Sequence, residues 1–342
     1  MPISTQWLAR AAATALLLVG SMTMAHAQSE PFRLIVTHLE PPLVPNSVMD
    51  LAVELGYFER EGVNVELVRV QQTPSAIAAL QSGEGEMANV GLDALVQLVA
   101  RGSTDLKAVT SPNKSLPYVI VAKDEITTMA DLAGHSFGIG RPGSLDHSLS
   151  SRVLTGAGVD LDAVDFLALG QPDVRAQALV AGQVDATTVS IGVWLNIPDK
   201  TGLHILVDQD AYYAAAPVVN KVNIVSQKAL DERRDDVVAV IRALIKISRD
   251  FAADPAKWTA AIAPYQPNMS AKNLDTLAAS FAKSWSTNGG MNAKELEYSV
   301  SWLYETEDFK DVPKVDMSSW ADLSLVAEVL AELGTDANMD AP

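Results

Sequence analysis

Residues 138–143 of this chain, Gly138-Ile139-Gly140-Arg141-Pro142-Gly143, satisfy G-x-G-x-x-G between a strand-like run and a helical one. That pattern can cradle the pyrophosphate of a dinucleotide. The acidic residue that should end the following strand is missing, because residues 164–169 run into Gly170-Gln171 and Asp165 stands at the strand's beginning. The segment therefore reads as a turn whose glycines let backbone approach a ligand. Ser144 follows it and opens a helix whose free N–H groups and dipole favour an anion.

Other chemistries find fewer residues to use. The chain has no cysteine, which removes thiolate nucleophiles, disulfides, thiolate zinc sites and iron–sulfur ligation. Its five histidines, His26, His38, His135, His147 and His204, lack metal-ligand spacing, and neither G-x-S-x-G nor H-E-x-x-H occurs. The many carboxylates read as solvated helix faces. No catalytic residue, no metal and no cofactor is expected.

The elements that must position a site alternate between strand and helix. Period-2 strand patterns fall at 32–37, 63–70, 86–90 and 106–110, with helical spacing at 47–55, 74–81 and 92–100. A second run repeats the rhythm from 118 to 190, implying two α/β lobes. The runs share an echo: residues 79–91 align with 178–190 at a constant offset of 99. Each copy reads as a helix end, a glycine suited to left-handed dihedrals, an acidic residue opening a strand, and a small residue leaving it. Two copies point to an equivalent turn at the carboxyl edge of each sheet, where α/β folds place ligands. From Ala229 the pattern becomes helical, with segments at 233–252, 255–262, 271–283, 293–305 and 320–333. The chain is expected to return to the first lobe through 218–225 and wrap it with these helices. Crossings near 113–117 and 214–220 then form a hinge.

Composition agrees with an exported globular protein. With 342 residues, 48% apolar and 20% charged, the chain can bury sizeable cores. A formal charge of −17 repels phosphate backbones, so no nucleic-acid partner is expected. Arg10, an apolar stretch over 11–20 and Ala25-His26-Ala27 have the layout of a cleaved signal peptide, residues 1–27. The mature protein is expected to begin near Gln28, periplasmic and soluble.

With these motifs in hand, the chain resembles the substrate-binding proteins of ABC importers for sulfonates, taurine, nitrate and thiamine-pyrimidine precursors. These form a group within the type II periplasmic binding proteins. The similarity rests on 52–65 (AVELGYFEREGVNV), 79–90, 131–138 (DLAGHSFG) and 143–147 (GSLDH), and it extends over nearly all the mature chain. It implies an α/β fold of two lobes with hinge crossings and a helical C-terminal extension packed on the first lobe. The lobes are assigned to 28–113 plus 219–342, and to 114–218.

Carried onto this sequence, the family's cleft positions fall at His38, Leu39 and Pro42, at Thr73 and Ser75, and at Gly91, Leu92 and Asp93. The second lobe is expected to add Gly143, Ser144, His147, Ser190 and Trp194. Thr73 and Ser144 could equally be plain helix N-caps, His147 a packed or solvated histidine, and Trp194 a core residue. Arg141 and Arg175 are the remaining cations expected near the second lobe's rim, solvated by default, with ligand contact the alternative. The proline-rich loop 38–45 offers no evident cation for a sulfonate.

The resemblance implies a periplasmic, monomeric solute-binding component of an ABC importer that closes on a small organic anion and presents it to an inner-membrane permease. An aromatic carboxylate or a pyrimidine is the alternative ligand, and a sensor the alternative partner. A pyrimidine synthase-like branch of the same fold group is opposed by the lack of cysteine.

Overall fold

In the computed structural model, residues 30–113, 117–142, 144–281 and 284–337 are described. The leader expected over 1–27, and Gly143, lie outside them. Contacts divide the chain into Met1–Glu30, described at Glu30 alone, and Pro31–Pro342.

Ten strands make two five-stranded sheets. The first takes β1 (Phe32–Val36), β2 (Val65–Arg69), β3 (Met87–Gly91), β4 (Leu106–Asn113) and β10 (Lys221–Ser226) in the order β2-β1-β3-β10-β4. The second takes β5 (Tyr118–Lys123), β6 (Ser136–Ile139), β7 (Asp165–Ala168), β8 (Ala186–Ser190) and β9 (Leu203–Val207) in the order β7-β6-β8-β5-β9. In each sheet the first three positions are parallel, and the fourth is an antiparallel strand that enters from the other sheet's side of the chain. Both crossings therefore end in the middle of a sheet. β3 is buried at every position, and β1, β5 and β8 nearly so, as expected for strands covered by helices on both faces.

The 99-residue offset is built into the backbone. Thr73–Gln81 and Pro172–Val180 are equivalent helices, β3 and β8 are equivalent strands, and each is followed by a helix, Leu92–Ala100 or Ile191–Asn196. Gly83 and Gly182 take φ of +80° and +73°, the left-handed turn that ends each first helix. The acidic residue has the same task in both copies. Glu86 accepts the Arg33 backbone N–H at 2.6 Å and pairs with its guanidinium, so it pins the start of β1. Asp185 accepts the Ser136 N–H at 2.9 Å and the Lys123 ammonium at 2.6 Å, so it pins the start of β6.

The C-terminal segment is anchored on the first sheet and reaches the second lobe. The turn over residues 286–290 packs on β4, where Ser111 N–H donates to Gly289 O at 2.9 Å and Thr110 Oγ1 to the same carbonyl at 2.8 Å. Gly290 has φ +67°, and a Cβ there would run into the Ser111 carbonyl oxygen. We expect Gly290→Ala to cost about 3 kcal/mol, from left-handed strain plus overpacking, read as a fall in the urea midpoint at unchanged m-value. Beyond this turn, helix Ala293–Leu303 touches both lobes. Ser299 Oγ accepts the Val219 N–H at 2.8 Å, Tyr213 donates to Glu295 Oε1 at 3.0 Å, and the Arg152 guanidinium lies 4.9 Å from the Tyr298 ring centre.

The helix expected over 320–333 is interrupted. Met317–Trp320 ends, Ala321 bridges Ala108 on the edge strand β4, Asp322 N–H donates to the Ala108 carbonyl, and Ser324–Leu333 begins afresh. Backbone pairing with an open sheet edge outweighs helix continuity at these two residues. No described helix is long and apolar enough to cross a membrane.

Candidate functional site

A cavity of about 330 Å³ opens at the carboxyl ends of the first sheet's parallel strands, beside the second crossing. Its polar end is made by Thr73, Gly91, Asp93, Asn220 and Lys221. Lys221 opens β10, and its Nζ donates to Thr37 Oγ1 at 2.6 Å, directly after β1. Lost hydration lowers the lysine's pKa, and the nearby Asp93 carboxylate partly restores it. Among the described residues no carboxylate comes within ion-pairing distance of that ammonium, 4.0 Å. An ammonium held this way favours an incoming anion.

Asp93 stands in the first turn of helix Leu92–Ala100. It keeps contact with solvent through the cleft mouth, but protein surrounds it on most sides. That desolvation raises its pKa; N–H groups at the helix start oppose the rise, Asp308 adds to it, and Lys221 counters it. Thr73 is not a cap. Gln72 holds the N-cap position, and Thr73 Oγ1 accepts the Gly91 N–H at 3.1 Å, tying together two loop ends that face the cavity. A Cβ at Gly91 would meet the Asp93 carboxylate, which folds back over it and would have to turn away.

The other wall is apolar and comes from the crossing and from the C-terminal segment: Val218, Val219, Trp302, Leu303 and Phe309, all under 9% exposed. Arg141 and Ser148 reach it from the second lobe. A larger open groove of about 850 Å³ adjoins it, and Ser148, Trp302 and Thr306 line both spaces.

Of the residues named from sequence, Thr73, Gly91, Leu92 and Asp93 meet in the cavity, and His147 lines the groove. His147 packs edge-on against Phe166, ring centres 4.8 Å apart, and burial lowers its pKa. The other described candidates do not line this cavity. His38 Nε2 is held 2.7 Å from Asp50, a buried carboxylate that also takes Arg69 at 2.7 Å. Leu39 is 56% exposed, Pro42 half-buried and Ser75 exposed. Ser190 caps its own helix by accepting the Val193 N–H at 3.3 Å. Trp194 is buried, with the Lys200 ammonium 5.3 Å from its ring centre.

The anion seat expected at Ser144 is filled from within. Ser144 Oγ lies 2.7 Å from the Arg141 carbonyl and 2.8 Å from Asp146 Oδ1, and caps no helix N–H. Asp146 Oδ2 accepts the Gly140 N–H at 2.8 Å, so the protein's own carboxylate occupies the glycine turn. Behind it stands Arg175, which is not solvated but 3% exposed. It donates to the carbonyls of Gly170 and Thr188 and to Thr187 Oγ1, with Asp146 Oδ2 3.6 Å away. Gly140 lies over it, where a Cβ would stand 3.5 Å from the guanidinium Nη1.

Lys221, Trp302 and Phe309 were not found from sequence. The one available signal was a lysine opening a largely buried strand pattern at a crossing already placed near 214–220.

A family model described as NMT1/THI5 like matches residues 47–257. Solved structures with the same fold include the periplasmic aliphatic sulphonate binding protein SsuA from Escherichia coli, at 20% identity and a TM-score of 0.66, covering 85% of this chain and 91% of that one. The alkanesulfonate-binding protein SsuA from Xanthomonas axonopodis pv. citri, bound to MOPS, aligns at 19% identity and a TM-score of 0.60, covering 89% and 98%. The desulfurization enzyme DszB aligns at 16% identity and a TM-score of 0.63, covering 88% and 99%, so the fold also occurs in an enzyme. No curated protein sequence matches.

Proposed function

Because the chain belongs to the NMT1/THI5-like family, we propose that it is the solute-binding component of an ABC import system, capturing a small organic anion between its lobes without chemical change. Lys221 carries this reading: a desolvated ammonium lining an interlobe cavity, hydrogen-bonded to Thr37 and, among the described residues, without a carboxylate in pairing range. The two structurally similar proteins named for sulfonates support an anion of that type. Residues 28–113 with 219–342, and 114–218, act as the closing bodies, and the crossings beside Lys221 as the hinge. The protein works in the periplasm as a monomer and delivers its ligand to a membrane permease. A zwitterion is the second reading, because Asp93 and Asp308 stand beside Lys221 and Arg141 in the same cavity.

Binding is expected to show as thermal stabilisation. Ligand at ~100-fold excess over Kd adds about 2.7 kcal/mol. Mature protein, unfolded and refolded to strip carried-over solute, is screened against alkanesulfonates, taurine, nitrate, aromatic carboxylates and pyrimidines. A shift with ethanesulfonate above that with taurine selects the simple anion, and the reverse order the zwitterion. Response to pyrimidines alone, or to none of the set, would remove anion capture.

A further inference from the structure

The C-terminal part of the cavity's apolar wall lies outside the residues matched by the family model, which end at 257, and its large side chains are Trp302, Leu303 and Phe309. We infer that Trp302 sets the length of ligand the cleft accepts, acting as a partition between a head chamber at Lys221 and a tail chamber in the adjoining groove. This rests on anion capture at Lys221.

Three observations place the partition. The two spaces share Ser148 from the second lobe and Trp302 and Thr306 from the C-terminal segment, so these residues stand between them. Trp302 is 7% exposed, held in helix Ala293–Leu303, which Ser299 ties to the crossing through the Val219 N–H. The groove beyond exposes mainly apolar surface, with Leu161 and Ala215 along it, and Arg152 and Glu305 meet at 3.1 Å beside it. Polarity therefore changes from Lys221, past the indole, to a space suited to hydrocarbon. An organic anion seated on Lys221 directs its apolar tail toward Trp302, and the indole stops it or lets it pass. The class selected is an anion with an apolar tail matched to the head chamber.

The test is a homologous series of n-alkanesulfonates, methane to decane, titrated by calorimetry against wild type, Trp302→Ala and Ser148→Leu. Each methylene buried is worth about fourfold in Kd, so wild-type affinity climbs with chain length to a ceiling and then falls. Removing the indole is expected to move the ceiling to longer chains, with at least a tenfold gain for chains beyond the wild-type limit. Ser148→Leu narrows the same passage from the other lobe while keeping the Trp302 indole, and is expected to move the ceiling to shorter chains. If both variants keep the wild-type order of chain lengths, with all affinities scaled together, Trp302 is a structural residue only and the inference fails while anion capture stands. If no member of the series binds wild type, both fail.

Discussion

Lys221→Met should weaken capture of the cleft's anion by about two orders of magnitude, or roughly 2.7 kcal/mol, while leaving the fold as stable as before or slightly more so. Methionine keeps the reach and apolar stem of lysine and removes the charge. An anion's charge would then be left without that ammonium, among the uncharged Thr37, Thr73 and Asn220, with Arg141 the other cation lining the cavity. The stability half of the expectation follows from the pKa direction. Burial lowers the Lys221 pKa in the folded protein, so its charged form is disfavoured by folding and removing it relieves that cost. A variant that merely damaged the site would lower Tm and affinity together, and calorimetry with thermal unfolding separates the two cases. The same groups set a pH profile. Affinity is lost as pH rises through the depressed Lys221 pKa, at lower pH than for an ordinary lysine. It strengthens as pH falls through the raised Asp93 pKa, because protonating that carboxylate removes the negative charge competing for Lys221. Wild-type affinity in the methionine variant would exclude Lys221 as the anion's partner.

Arg175→Ala should destabilise the protein by about 3 to 5 kcal/mol, the largest loss expected from a single polar side chain here. The guanidinium serves the Gly170 and Thr188 carbonyls, Thr187 and the Asp146 carboxylate from a position with 3% exposure. Truncation strips the guanidinium from the buried Thr187 and Thr188 acceptors and from Asp146. Lysine should recover little, because a single ammonium cannot reach acceptors disposed around a planar fork. Urea unfolding of wild type, Arg175→Ala and Arg175→Lys measures both effects. A loss under about 1 kcal/mol would mean that the glycine turn over Asp146 is held by the backbone and not by this network.

These two arginine and lysine positions show where reading the sequence succeeds and stops. Helical and strand periodicities, the repeat at 99 residues, the acid that opens each third strand and the glycine before it are local properties, and their positions follow from which side chains face a sheet. Thr73, Gly91, Leu92 and Asp93 were placed at the cleft by the family resemblance, and they meet in one cavity because they sit at strand and helix ends, which α/β geometry brings to one edge. Arg175 was read as solvated because one arginine in a short helix does not show that the fold turns the Gly170 and Thr188 carbonyls toward it. Ser144 was read as an anion seat because a helix start looks vacant until Asp146 is seen folded onto Gly140.

Taken by itself, the amino-acid sequence determined two α/β lobes, their repeated half, the crossings and the helical C-terminal extension, because alternation and capping are encoded within a few residues of one another. Only the tertiary structure decided that Lys221 and Trp302 line one cavity. Those side chains approach Thr73 and Asp93 from far along the chain, and helix packing against a crossing strand, which no local pattern records, brings them to the same cavity.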